Sequence, residues 1–253
     1  MLHDMQEIAL KNANYAFCEM LNNAIDHSEG TKVEVQVRVN AFSVSFSIAD
    51  DGIGIFSKIA SAMNFSEKRF AILELAKGKF TTDPKSHSGE GIFFSAKASD
   101  VFGIFSDDLV FSSINFRDDG NERLLDNKWI QPSGTTVIFI VFRNRSISTS
   151  ELFDRYTEKP DDYGFTKTVV PVKLLEHGEP NPTFVSRSQA KRLLARFERF
   201  ESIELDFSDI DEIGQGFADE VFRVFQAKHP NSRIVATNCN QRVEKMIKHV
   251  SRH

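Results

Sequence analysis

Two short segments of strict alternation constrain this chain most. Val33, Val35, Val37 and Val39 alternate with Glu34, Gln36, Arg38 and Asn40, and Phe42, Val44, Phe46 and Ile48 alternate with Ser43, Ser45 and Ser47. A period of two with one polar face predicts an antiparallel pair covered on one side only, turning at Asn40-Ala41. A cover precedes it. Over residues 5–28, Ile8, Ala16, Phe17, Met20, Leu21, Ala24 and Ile25 recur at helical spacing, and Asn12, Glu19, Asn23 and Asp26 mark the opposite stripe. Gly30, just past His27 and Glu29, closes that helix. A helix laid on an antiparallel pair begins an α+β two-layer sandwich.

The pattern then breaks at Asp50-Asp51-Gly52-Ile53-Gly54, and a mixed, helical stretch runs to Ala76. Residues 77–90 are polar and rich in turn formers, which predicts a long mobile loop. Gly91 to Ala98 reads as a helix, and strands are expected near 101–105, 108–116, 122–129 and 134–142. Residues 143–163 are polar, with Pro160, Asp161 and Asp162, so the chain divides into 1–145, a linker at 146–163, and 164–253. Two domains suit 253 residues. In the second, strands at 165–174 and 182–185 lead to a capping box, Ser186 with Gln189, opening a helix with Ala190, Leu193, Leu194, Phe197 and Phe200 on one face. A strand at 202–207, a helix at 215–228, a strand at 232–237 and a helix at 240–250 follow. This βαβαβα rhythm predicts a mainly parallel sheet with covering helices.

Composition excludes some functions. The net charge is −5 and no Lys/Arg run is dense, so nucleic-acid binding is not indicated. The chain carries 24 Phe against one Trp and three Tyr, which reads as core filler. Its two cysteines, Cys18 and Cys239, both fall in stretches read as helical and suggest a reducing compartment without disulfides. The N-terminal residues do not read as a signal peptide, and the most apolar run, Thr136 to Phe142, is too short to cross a bilayer. A cytoplasmic protein with no membrane partner is expected.

The common phosphate-binding motifs fail. Gly78-Lys79 is followed by Phe80 and lacks an upstream glycine, and neither Gly52-x-Gly54 nor Gly89-x-Gly91 continues to a third glycine. Four other pieces remain. Glu19 and Asn23 share a helix face; Asp50-x-Gly52-x-Gly54 follows a strand; Gly89-x-Gly91 opens a helix; Gly134-Thr135 begins a late strand. In this order they resemble the ATP-binding domain of DNA gyrase, the ninety-class heat-shock chaperone, histidine kinases and mismatch-repair ATPases, the GHKL superfamily. Glu19-Met-Leu-Asn-Asn23-Ala-Ile-Asp26-His27 is similar to its N box, Asp50-Asp-Gly-Ile-Gly54-Ile and Ser88-Gly-Glu-Gly91-Ile92 to its glycine boxes, and Gly134-Thr135 to its closing box. The resemblance spans roughly residues 5 to 142.

That resemblance implies a Bergerat-type fold binding ATP with Mg²⁺. Asp50 would accept a hydrogen bond from the adenine amino group and reject guanine, whose matching position is a carbonyl. Gly52 and Gly54 would let backbone approach the base, and Thr135 would support Asp50 and the base through its hydroxyl or a water. Asn23 would ligate Mg²⁺, with Asp26 beside it capping or supporting the helix. Ser88, Gly89, Gly91 and Ile92 would form the phosphate turn at a helix start. Lys77, Lys79 and Lys85 would act as lid cations, and Glu19 would orient or deprotonate the water attacking the γ-phosphate. His27 and His87 read as structural or exposed. Only His3 precedes the N box, so an autophosphorylating sensor kinase is not expected. Gly91-Ile92 continues as Phe93-Phe94, where kinase-type sequences often place another glycine.

Residues 164–253 resemble a STAS-like bacterial family of unknown function, through Val185-Ser-Arg-Ser-Gln-Ala-Lys-Arg-Leu-Leu194 and the run from Leu205 to Phe222. Related anti-sigma-factor antagonists carry a phosphorylatable Ser before the second helix; here the turn reads Ile213-Gly214-Gln215-Gly216-Phe217 and offers no hydroxyl. Ser208 is expected to make a turn hydrogen bond, and Asp219 and Glu220 to favour a first helical turn through the macrodipole. Three functions are weighed: an ATP-dependent regulatory switch with slow hydrolysis whose STAS-like domain meets a protein partner; a kinase of the anti-sigma type acting on a separate protein; and a nucleotide-sensing module without catalysis. A homodimer is left open.

Overall fold

The computed structural model describes residues 2–80, 89–115, 121–126, 133–145, 147–157, 165–176 and 183–251; side chains at 2–6 and 121–126 are not described. Ser88, Lys85, His87 and most of the 77–90 loop therefore lie outside the described residues, as do the end of the strand expected at 122–129 and Pro160 to Asp162. The chain forms two compact units, Met1–Asp154 and Arg155–His253.

The first unit is an α+β sandwich. Helix α1 (Leu2–His27) is followed by β1 (Val33–Val39), β2 (Ser43–Asp50), α2 (Ile55–Ala62), α3 (Phe70–Lys77), α4 (Gly91–Ala98), β3 (Val101–Ser106), β4 (Leu109–Ile114), β5 (Asn121–Asp126), β6 (Thr135–Phe142) and α5 (Thr149–Arg155). The six strands form one antiparallel sheet in the order β1-β2-β6-β3-β4-β5. β6, the last strand in sequence, thus lies between β2 and β3. Alternation does its expected work in the centre: Val44, Phe46, Ile48 and Asp50 of β2, and Thr135, Val137, Phe139 and Val141 of β6, are the buried positions. Phe46 lies opposite Phe139, their rings stacked at 4.9 Å, and Phe17 of α1 meets Phe46 edge-on at 5.4 Å. The helix therefore sits over β2 and β6.

Four expectations change here. β1 is not covered on either side, because it is the edge strand and the helical layer stops one strand short; Val35, Val37 and Val39 are exposed. Phe42 is likewise exposed, an exception to Phe as core filler. Asn12, placed on the stripe opposite the apolar one, is fully buried: its amide donates to the Ile147 carbonyl at 2.9 Å and accepts from the Thr149 hydroxyl at 2.7 Å. The stretch expected to be linker thus carries α5, whose Leu152 is buried and whose Phe153 packs on Phe94 at 3.9 Å and edge-on to Tyr15. The boundary between units falls after Asp154.

The second unit is a smaller α/β fold. It contains β7 (Lys167–Pro171), a 3-10 turn (Val172–Glu176), α6 (Arg187–Leu194), a second 3-10 turn (Phe197–Arg199), β8 (Ser202–Asp206), α7 (Gln215–Asp219), a π-helical segment (Glu220–Phe225), α8 (Gln226–Lys228), β9 (Arg233–Thr237) and α9 (Gln241–Val250). The sheet β7-β8-β9 is parallel throughout. Ser186 and Gln189 make the reciprocal capping box, and Ala190, Leu193, Leu194, Phe197 and Phe200 are buried as their spacing predicts. Ser208 gives both its N–H and its hydroxyl to Asp206. Asp219 does not serve a first turn; it bridges Arg187 and Arg223, which hold its carboxyl below the usual range. Cys239 lies in the loop before α9 rather than in a helix.

Candidate functional site

The end of β2 delivers two adjacent carboxylates to opposite sides. Asp51 turns back to the α1–β1 connection, where it accepts the Thr31 and Lys32 N–H groups and the Thr31 hydroxyl, and these bonds hold it below the usual carboxylate range. Asp50 is buried. Its Oδ1 accepts the Gly52 N–H at 3.0 Å and the Thr135 N–H at 3.1 Å, and among the described residues its Oδ2 accepts none. Burial pushes Asp50 above the usual range; the two N–H bonds oppose that, and the Asp51 charge adds to it. Asp50 thus presents one oxygen that still seeks a donor.

Asp50 lines a cavity of about 300 Å³, the size of a small ligand pocket. Its floor is apolar, including Ala24, Ile48, Ile59, Leu75 and Val137. Polar groups gather on one helix face and at two chain turns: Glu19 and Asn23 of α1, Asp50, and Thr135. Gly54, Gly89, Gly91 and Ile92 also line it. Asn23 is half-buried with no side-chain hydrogen bond among the described residues. Burial raises the Tyr15 hydroxyl pKa, and the charges of Glu19 and Glu90 raise it further, which places both acids near one ring.

Two glycines are demanded by contact. A Cβ on Gly91, at the first residue of α4, would stand 2.1 Å from Glu19 Oε2, so the carboxylate rests directly on the helix start. A Cβ on Gly52 would stand 2.0 Å from the Ser28 carbonyl oxygen. Gly52 therefore clears the end of α1, and it does not line the cavity.

Other sequence-predicted residues fall elsewhere. Lys77 is fully buried on the apolar helix α3, with its ammonium 2.6 Å from Glu74, which is also buried; it does not line the cavity and cannot serve there as a lid cation. A charge removed from water needs a partner close by, and Glu74 one turn earlier supplies it. Lys79 and Asp26 also lie outside the lining, Asp26 on the exposed side of α1. The Thr135 hydroxyl does not reach Asp50: it accepts the Ile55 N–H at 2.9 Å, while the Thr135 backbone serves Asp50.

The structure adds residues that the sequence did not single out. Lys58 of α2 is the one Lys or Arg lining the cavity among the described residues, its ammonium 2.6 Å from the His27 carbonyl and 3.0 Å from Glu29. Ser28 and Phe80 line the cavity too, as does His27, which reads from the sequence as structural. Only the fold reveals them; a lysine on an amphipathic helix carries no signal of its own. Among the described residues, no helix is long and apolar enough to cross a membrane.

Comparison with known proteins completes the description. A family model described as histidine kinase-, DNA gyrase B-, and HSP90-like ATPase matches residues 11–143. A second, described as a STAS-like domain of unknown function, matches residues 189–244. No curated protein matches the chain.

Proposed function

The chain belongs to the histidine kinase-, DNA gyrase B- and HSP90-like ATPase family, and from that premise we propose that its first unit binds Mg²⁺-ATP in the cavity between α1 and the end of β2 and acts as a regulatory switch with slow hydrolysis. The STAS-like unit is its module for a protein partner.

One observation carries the nucleotide reading. Asp50, a residue of the cavity lining, has its Oδ1 engaged by two backbone N–H groups and its Oδ2 by none among the described residues, in surroundings that disfavour its charge. An exocyclic amino group is the donor that site lacks, and a carbonyl in the same place would face a carboxylate. Adenine is therefore accepted and guanine refused. The apolar floor suits the faces of a purine.

The donor set also fits Mg²⁺ carried by phosphates. Among the described residues no group of three or more His, Cys, Asp or Glu could hold a metal alone, while Asn23 and Glu19 offer hard oxygens one helical turn apart. Mg²⁺ would draw charge from the phosphates, with Asn23 as its ligand from the protein. The backbone N–H groups at Gly91 and Ile92, at the positive end of α4, would hold a phosphate oxygen. Glu19, resting on that helix start, would orient the attacking water and take its proton.

The test is the fate of the γ-phosphate. Purified protein is incubated with Mg²⁺ and γ-labelled ATP, alone and with cell extract, beside Glu19→Ala. Free phosphate that depends on Glu19 supports the switch. Label on an extract protein supports the kinase alternative and identifies its substrate. Measurable binding with neither outcome leaves a nucleotide sensor, and absence of binding overturns the reading.

A further inference from the structure

β1 ends the six-stranded sheet, and among the described residues no strand pairs with its outer edge. The direction of its backbone groups follows from its two ends. The Lys32 carbonyl accepts the Asp51 N–H, and the Asn40 N–H donates to the Ser43 carbonyl. Even-numbered positions therefore bond to β2. By the two-residue repeat, the N–H and C=O groups of Val33, Val35, Val37 and Val39 face away from the sheet. A row of unpaired donors and acceptors of this kind is a template for another strand.

The side chains of these valines are equally uncommitted. Val35 lies opposite Ile48 and Val37 opposite Phe46, so they stand on the face that β2 buries under α1. Yet Val35, Val37 and Val39 are 42%, 56% and 57% exposed, and Phe42 beyond them is 81% exposed. Contiguous exposed apolar surface beside an open edge marks an interaction site.

We infer that β1 pairs antiparallel with β1 of a second copy of this chain, about a two-fold axis at Gln36, joining the two sheets into one. The strand is self-complementary in that register. Val33 falls opposite Val39 and Val35 opposite Val37, each at a hydrogen-bonded position, as the outward backbone groups require. Glu34 falls opposite Arg38, twice by symmetry, at the non-hydrogen-bonded positions where facing side chains come closest. Moving the axis to Val35 sets Arg38 against Lys32, and moving it to Val37 leaves Glu34 facing Asn40. The charges thus select one register. A two-fold contact uses the same patch on both copies, which this sequence satisfies without a different partner. In the single chain Glu34 pairs with Lys32, but both side chains are exposed, and such a pair holds Glu34 only weakly. No β1 residue lines the nucleotide cavity, so this inference is independent of the function proposed above.

The test is the mass of the full-length protein in solution, by sedimentation velocity and light scattering over a wide concentration range. The wild type is expected at twice the chain mass. Glu34→Arg sets two pairs of arginines face to face and is expected to raise the dimer dissociation constant by about tenfold or more. The double variant Glu34→Arg/Arg38→Glu restores opposite charges and is expected to restore the dimer. Val37→Pro deletes an outward donor while leaving the bonds to β2, and is expected to weaken the dimer with an unchanged circular dichroism spectrum. A wild type that is monomeric at every concentration overturns the inference. A dimer indifferent to Glu34→Arg and Val37→Pro overturns it equally, because another surface then holds the copies together.

Discussion

Glu19 and Gly91 are in direct apposition: a Cβ on Gly91 would stand 2.1 Å from Glu19 Oε2. The proposed base and the proposed phosphate-binding helix start are therefore one unit. Gly91→Ala must displace the carboxylate or the first turn of α4. Phosphate release is expected to fall about tenfold or more, since small misplacements of a catalytic group are costly. ATP affinity should fall by less. Single-turnover kinetics beside equilibrium binding separate the two, and an unchanged rate would show that Glu19 does not act from this position.

Asp50→Asn retains an oxygen to accept the Gly52 and Thr135 N–H groups and places an amide N–H₂ where Oδ2 was. Donor then faces donor, and ATP affinity is expected to fall about a hundredfold, equivalent to about 3 kcal/mol. The fold should not suffer. Burial raises the Asp50 pKa, so its contribution to stability is full below the ordinary carboxylate range and is lost as pH rises through the raised value. At neutral pH the variant should melt at or above the wild-type temperature. A clear drop in melting temperature would sink this account.

The same shift gives binding a pH dependence. Protonated Asp50 loses its acceptor, so affinity for the adenine ring is expected to weaken as pH falls through a value above the usual carboxylate range. Titration calorimetry with adenosine avoids the titration of the phosphates themselves. Affinity that stays flat until the ordinary carboxylate range would place Asp50 in a more solvated setting.

Lys77→Ala is expected to act on stability. Its ammonium and Glu74 are both buried, and removing one member of such a pair costs about 3 kcal/mol. Urea unfolding should show that loss. ATP affinity per folded molecule should be unchanged, and a selective loss of affinity in a stable protein would return Lys77 to the nucleotide.

Asn12→Ala is expected to cost about 1–3 kcal/mol, because half-buried partners on the segment before α5 and at its start lose their bonds. Proteolysis near residues 146–157 should accelerate with it. An effect below about 0.5 kcal/mol would mean that water replaces the amide.

The parts legible in the sequence were those where one periodicity served one purpose. Alternation placed β1 and β2, and the apolar spacing on α1 placed Ala16, Met20 and Ala24 in its buried face but also Ile25, which is 63% exposed. Spacing put Glu19 and Asn23 on one helix face, and the resemblance assigned that face to the site. Lys77 was misread because a lysine in a polar neighbourhood resembles every solvated lysine; the signal was Glu74 one turn earlier within Phe70–Lys77, an otherwise apolar helix. Nothing local marks Asn12 as buried, because polarity on a helix does not say which neighbour will cover it. β1 alternates like a half-buried strand, and only the width of the helical layer decides that it is bare. Lys58 reaches the cavity through the packing of α2 against the end of α1, which no local pattern encodes.

The insertion of β6 between β2 and β3 has a consequence for synthesis. On the ribosome, β1 through β5 emerge first, and until Thr135–Phe142 follows, β2 and β3 each present an open edge in what will become the middle of the sheet. Asp50 meanwhile waits for an N–H that lies 85 residues further along. Closure requires these distant segments to meet, which slows folding and prolongs exposure of adhesive strands. A nascent chain halted before β6 should therefore associate with holding chaperones and lack the adenine site, and both conditions should end together when the final strand slides into the gap.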